Sequence, residues 1–187
     1  MSERFRYAGV NHIALVCRDM AETVDFYENV LEMPLVKTLG LPGHGQHFFF
    51  NCGGGATVAF MWFPNAPEAA PGIASQHRNV ARDGAATAHA SMNHLAFNIA
   101  LEDFDEYAER LRARGVKVHV INHNDGPDAN SAELTLNTWI RSMYFRDPSG
   151  IALEFAALTR TYRPDDVNLP PVDAQGAPVR ARATEPA

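Results

Sequence analysis

Hydrophobic residues in this chain come in short, mainly apolar runs separated by polar breaks, and the order of the runs repeats. Val10–Cys17 has the character of a strand covered on both faces or lining a closed, curved sheet. From Met20 the apolar residues Val24, Tyr27, Val30 and Leu31 recur at helical spacing over Met20–Glu32. Asp19 is placed to cap that helix, with Glu22 three residues later completing a capping-box pattern, and Pro34 stops it. Three β-like runs follow, Leu35–Leu39, His47–Asn51 and Thr57–Phe63, divided by glycine-rich breaks at Gly43-His44-Gly45 and Gly53-Gly54-Gly55. This is one β-α-β-β-β unit.

The same order returns after residue 90. Met92–Ile99 opens a second unit, and Phe104, Tyr107, Ala108 and Leu111 form the apolar face of a helix over Glu102–Arg114 that Gly115 ends. Val116–Ile121, Thr138–Arg146 and Ile151–Ala157 read as strands, the last two joined by Asp147-Pro148-Ser149-Gly150, which fits a type I turn. The fold class is α+β, with modules at 8–63 and 91–158. Residues 64–90, rich in Ala, Pro and Gly, are a linker or a lid, and the polar stretch 122–133 is a second loop able to cover a site. From 159 to 187 the chain has no periodicity and is expected to be extended or disordered.

Composition narrows the function classes. At 187 residues, 46% hydrophobic and 20% charged, the chain is long enough to bury a sizeable core. A net charge of −6 with no Lys/Arg run argues against nucleic acid or an anionic membrane as partner, and no apolar run approaches the roughly 20 residues of a membrane helix. Cys17 and Cys52 read as two reduced thiols, which with the missing signal-peptide pattern leads to a cytoplasmic expectation.

The most informative repeat is a phrase. Asn11-His12-Ile13-Ala14-Leu15 returns as Asn93-His94-Leu95-Ala96-Phe97, and Glu154 lies in the apolar strand Ile151-Ala152-Leu153-Glu154-Phe155. Small or apolar neighbours share the strand face of each, Val10 and Ala14 beside His12, Met92 and Ala96 beside His94, Ala152 and Ala156 beside Glu154. A buried carboxylate in such a strand needs a cation, a donor or water. Two imidazoles and a carboxylate suit a divalent transition metal and leave positions open for substrate.

On these residues the chain, over about 8–158, resembles the vicinal oxygen chelate superfamily of glyoxalases, extradiol dioxygenases, fosfomycin-resistance transferases and bleomycin-resistance proteins. The resemblance implies two modules forming an open barrel around a metal held by His12, His94 and Glu154. The fourth ligand usual in glyoxalases has no counterpart in Thr57–Phe63. Tyr144-Phe145-Arg146-Asp147-Pro148-Ser149-Gly150, running into Glu154, is similar to the extradiol dioxygenase signature. Tyr144 then falls at a substrate-binding tyrosine, Asn137 stands near where the signature has a histidine, and His77 is the candidate for a catalytic histidine. Phe60, Trp62 and Phe97 are expected to wall the substrate. His44, His47, His89, His119 and His123 read as surface or loop residues. The resemblance thus implies an Fe(II)-dependent ring-cleaving dioxygenase acting on a catecholic small molecule with O2, with Mn(II) or Zn(II) as other metals and a homodimer left open. The alternatives are a redox-neutral lyase, isomerase or thiol transferase of the same superfamily, and a sequestering protein without turnover.

Overall fold

The computed structural model describes residues 8–68, 89–126 and 129–178. The first unit holds β1 (His12–Val16), helix α1 (Met20–Asp25), β2 (Leu35–Leu41), β3 (Gly45–Gly53) and β4 (Ala56–Trp62). Its four strands lie in the order β1-β4-β3-β2, with β1 parallel to β4 and the other pairs antiparallel. The second unit holds β5 (Leu95–Asn98), α2 (Phe104–Ala113), β6 (His119–Asn124), β7 (Asn130–Ser131), β8 (Thr138–Arg146) and β9 (Ala152–Leu158). Its order is β5-β9-β8-β6-β7, again with the first strand parallel to the last. The fold is α+β as the sequence implies, but the two sheets stay open and do not close into one barrel.

Local chemistry explains the boundaries. The Asp19 carboxylate accepts from the Ala21 and Glu22 amides and caps α1. Glu22 does not complete the box; its carboxylate takes the Arg18 guanidinium at 2.7 Å. The expected single helix over Met20–Glu32 changes to π geometry at Phe26–Val30, where the Leu31 amide reaches back to Phe26 O. That wider turn buries both Phe26 and Tyr27 and leaves Glu32 at φ +58°. The stretch 122–133 carries the hairpin strand β7, so it is not only a loop. The described part of the tail contains a short 3-10 turn, Pro164–Asp166. No described helix is long and apolar enough to cross a membrane.

Each sheet packs one apolar face into the core. On the first, Phe50, Val58 and Phe60 pack on Tyr27; on the second, Leu153, Phe155, Met143 and Phe145 pack on Phe104 and Leu111, all in one hydrophobic cluster. Polar contacts fasten the two units along this seam. Glu32 pairs with both Arg110 and Arg114, Arg114 donates to Val30 O at 2.6 Å, and Ser149 Oγ accepts from the Arg18 amide at 3.0 Å. The candidate ligands lie on the opposite faces, where His12 is exposed and Glu154 is buried.

Candidate metal centre

Strand parity decides what each open face carries. On the second sheet, β5 register places Ala96 beside Glu154, and β8 register places Tyr144 on the other side of Glu154 and Ser142 opposite Ala156. His94, immediately before β5, brings Nε2 to 2.8 Å from Glu154 Oε2. Its Nδ1 stands 2.7 Å from Asn93 Oδ1. An amide oxygen only accepts, so Nδ1 carries the hydrogen and Nε2 presents its lone pair to the carboxylate. Two acceptors facing each other at that distance require a proton or a cation between them. Burial favours the neutral form of Glu154, but with a proton between the two groups the hydrogen bonds of His94 and Ser142 outweigh it and hold the carboxyl below its usual range. The Ser142 hydroxyl beneath them is buried. Nitrogen and carboxylate donors, a buried hydroxyl and small neighbours at Ala96, Ala152 and Ala156 fit a divalent metal.

His12 repeats the device on the first sheet. Its Nδ1 lies 2.8 Å from Asn11 Oδ1, again leaving Nε2 as the ring nitrogen that could bind a metal, and its ring meets the edge of Phe49 at 5.9 Å. The side chain is exposed and is not brought to the His94–Glu154 pair. Among the described residues no group of three His, Cys, Asp or Glu side chains is placed to hold a metal.

The other expected site residues are scattered. Tyr144 lies at the centre, its ring 5.5 Å from that of His94. Burial, then the charge of Glu154, pushes its hydroxyl up, so it stays protonated at neutral pH. Phe60 and Phe97 sit on the inner faces of their sheets, in the core, against Tyr27 and Phe155. Trp62 is partly buried and donates its indole N–H to Arg18 O at 3.2 Å. Asn137 is an exposed residue of the turn before β8, whose carbonyl accepts from the Asp125 amide. His77 lies outside the described residues. His123, a loop residue by its sequence, joins the site: its Nε2 is 3.2 Å from the Tyr144 hydroxyl and its Nδ1 2.6 Å from Asn130 Oδ1. The signal available in the sequence was its own Asn-His pair, Asn122-His123, set in a stretch too polar to suggest a strand.

Asp147 shows why the dioxygenase-like segment misleads. Its carboxylate is buried, accepts from the Ile151 amide at 2.8 Å and faces the Tyr27 hydroxyl at 3.5 Å. The acid, proline and glycine of that segment therefore shape the turn and fasten it to the first unit, whatever chemistry the open face performs.

The Glutathione transferase FosA of Serratia marcescens is 25% identical over 145 residues, covering 78% of this chain and 77% of that protein. The Fosfomycin resistance protein FosX of Listeria innocua serovar 6a is 23% identical over 114 residues, covering 59% and 68%. The crystal structure of FosX from Listeria monocytogenes with Mn(II) and sulfate matches with a TM-score of 0.51 at 23% identity, covering 82% of this chain and 95% of that one. These relatives overturn the expectation of an Fe(II) ring-cleaving dioxygenase. With it goes the ground for O2 as co-substrate, for a catecholic ring and for iron ahead of other divalent metals. The description Glyoxalase/Bleomycin resistance protein/Dioxygenase superfamily matches residues 9–155, and the chain belongs to that superfamily.

Proposed function

We propose that this protein is a redox-neutral metalloenzyme that opens the epoxide of a small phosphonate such as fosfomycin with a thiol or water. The observation that carries the reading is the His94–Glu154 pair, 2.8 Å apart, which would supply half of the ligands of a divalent metal. One relative named for fosfomycin resistance and another named a glutathione transferase support the reaction class. Mn(II) is the metal favoured, by the FosX crystal structure and by the mixed nitrogen and oxygen donors.

His94 and Glu154 would hold the metal from one chain, and His12 of a second copy would complete the set. Two facts support a shared site: His12 is exposed, and its open sheet face displays Val16 at 51% and Val10 at 64% exposure. A bound metal would act as a Lewis acid, polarising the epoxide and anchoring the phosphonate. The chain's own residues do the rest. Arg146, the next residue after Tyr144 on the open face of β8, is held by Gly150 O at 2.6 Å and places a fixed positive charge for the phosphonate. Tyr144 offers a protonated hydroxyl beside the metal ligands.

The test is phosphorus NMR of fosfomycin incubated with the Mn(II)-loaded full chain, with and without glutathione. The reading predicts conversion to a ring-opened phosphonate that Glu154→Ala abolishes. Unchanged fosfomycin under both conditions, with metal shown to be bound, would contradict it.

A further inference from the structure

His123 and Asn130 are joined across the β6–β7 hairpin, where they form a register pair. Asn130 Oδ1 lies 2.6 Å from His123 Nδ1, so in this pairing Nδ1 carries the hydrogen. The neutral ring then has a bare lone pair at Nε2, and that atom faces the Tyr144 hydroxyl at 3.2 Å. Only one of the two can donate, and it is the phenol. The contact crosses diagonally, because His123 pairs with Ile140 while Tyr144 pairs with His119. The small residue Ser142, lying between Ile140 and Tyr144 on the same face of β8, gives the phenol room to lie along the strand. Trp139, with its ring centre 6.5 Å from that of His123, backs the imidazole.

We infer that His123, oriented by Asn130, is a positioning residue that turns the Tyr144 hydroxyl so its oxygen lone pairs face the metal side of the open sheet. Resting on the function proposed above, this deepens it. With its hydrogen directed to His123, the Tyr144 oxygen is left to accept on the metal side. It is set to take the O–H or S–H of an incoming nucleophile, water or a thiol, while Arg146 serves the anionic end of the substrate. The arrangement repeats the logic of Asn11–His12 and Asn93–His94, with the free imidazole nitrogen spent on a phenol in place of a metal.

The direct test reads the tautomer. Nitrogen-15 NMR of the full chain with labelled histidine, at about pH 8 where an ordinary imidazole is neutral, is compared with His123→Gln to identify the resonances. The expected result is a His123 ring protonated at Nδ1 and bare at Nε2, with Asn130→Ala shifting it toward the other tautomer. A wild-type ring carrying hydrogen on Nε2, alone or with Nδ1, would overturn the inference.

A second arm uses the catalytic assay. His123→Leu is expected to lower kcat about five- to tenfold, the scale of one hydrogen bond, with little change in KM for fosfomycin. His123→Gln, which returns an acceptor near Nε2, is expected to restore most of it. Adding His123→Leu to Tyr144→Phe is expected to cost nothing more; fully multiplicative losses would contradict action through Tyr144. If the wild type leaves fosfomycin untouched, the function proposed above fails while the tautomer still decides this inference.

Discussion

His94 Nε2 stands 2.8 Å from Glu154 Oε2, across two parallel strands whose neighbouring residues are alanines. Parallel pairing of the first and last strands of the unit brings together residues sixty positions apart, and strand parity turns both toward the open face. The Asn93 amide then fixes which imidazole nitrogen is offered.

That fixing role is measurable. Removing an outer hydrogen bond to a ligating histidine commonly weakens metal binding about 10- to 100-fold. Asn93→Ala is therefore expected to raise the Mn(II) dissociation constant by that factor, read by calorimetric titration, and Asn11→Ala to act in the same direction. Unchanged affinity in both would mean the Asn-His pairs do not set the ligand atoms.

Phe60 packs against Tyr27 with ring centres 4.7 Å apart and is fully buried. Phe60→Ala should cost about 3 to 5 kcal/mol of stability through the cavity it leaves, measured by urea unfolding. Because its side chain is on the inner face, the KM for fosfomycin of the folded fraction should stay as in the wild type. A large rise in KM without lost stability would place Phe60 at the substrate.

Asp147 gives a pH signature. Burial, against four hydrogen bonds that oppose it, raises its carboxyl from 3.8 to about 6. Between those values the folded state binds more protons than the unfolded chain, so this contribution to stability falls as pH rises, by about 3 kcal/mol in all. Below 3.8 it is fully present, and above about 6 it is lost. Glu32 and Asp166, each drawn down to about 2 by arginines, act in the opposite sense at lower pH. The readout is therefore a difference: wild-type stability minus that of Asp147→Asn, followed from pH 4 to 7, should decline with pH, and a flat difference would refute the assignment.

Much of the fold was legible because apolar runs, caps and turns agreed locally. The two modules, the Asp19 cap and the Asp147–Gly150 turn all follow from short-range chemistry. The π turn at Phe26–Val30 was not legible, since its cause is the packing of both Phe26 and Tyr27 into the core. Parity also told part of the site: Phe97, an odd number of positions from His94, must fall on the opposite face of the strand. His123 was hidden because residues 122–133 alternate too little to show a hairpin. Its role depends on a register across β6 and β7 that no single run encodes. The dioxygenase expectation rested on a segment whose acid, proline and glycine serve the turn, and a motif that shapes backbone cannot choose a reaction.

The most direct test of the shared metal centre is the metal content of a mixed dimer of His12→Ala and Glu154→Ala chains, co-expressed with different tags and purified by both. If His12 of one copy serves His94 and Glu154 of the other, one of the two sites in the mixed dimer keeps all three ligands. The expected result is about one Mn(II) per mixed dimer, with neither variant binding tightly alone. A mixed dimer as empty as its parents, or tight binding by His12→Ala alone, would contradict it.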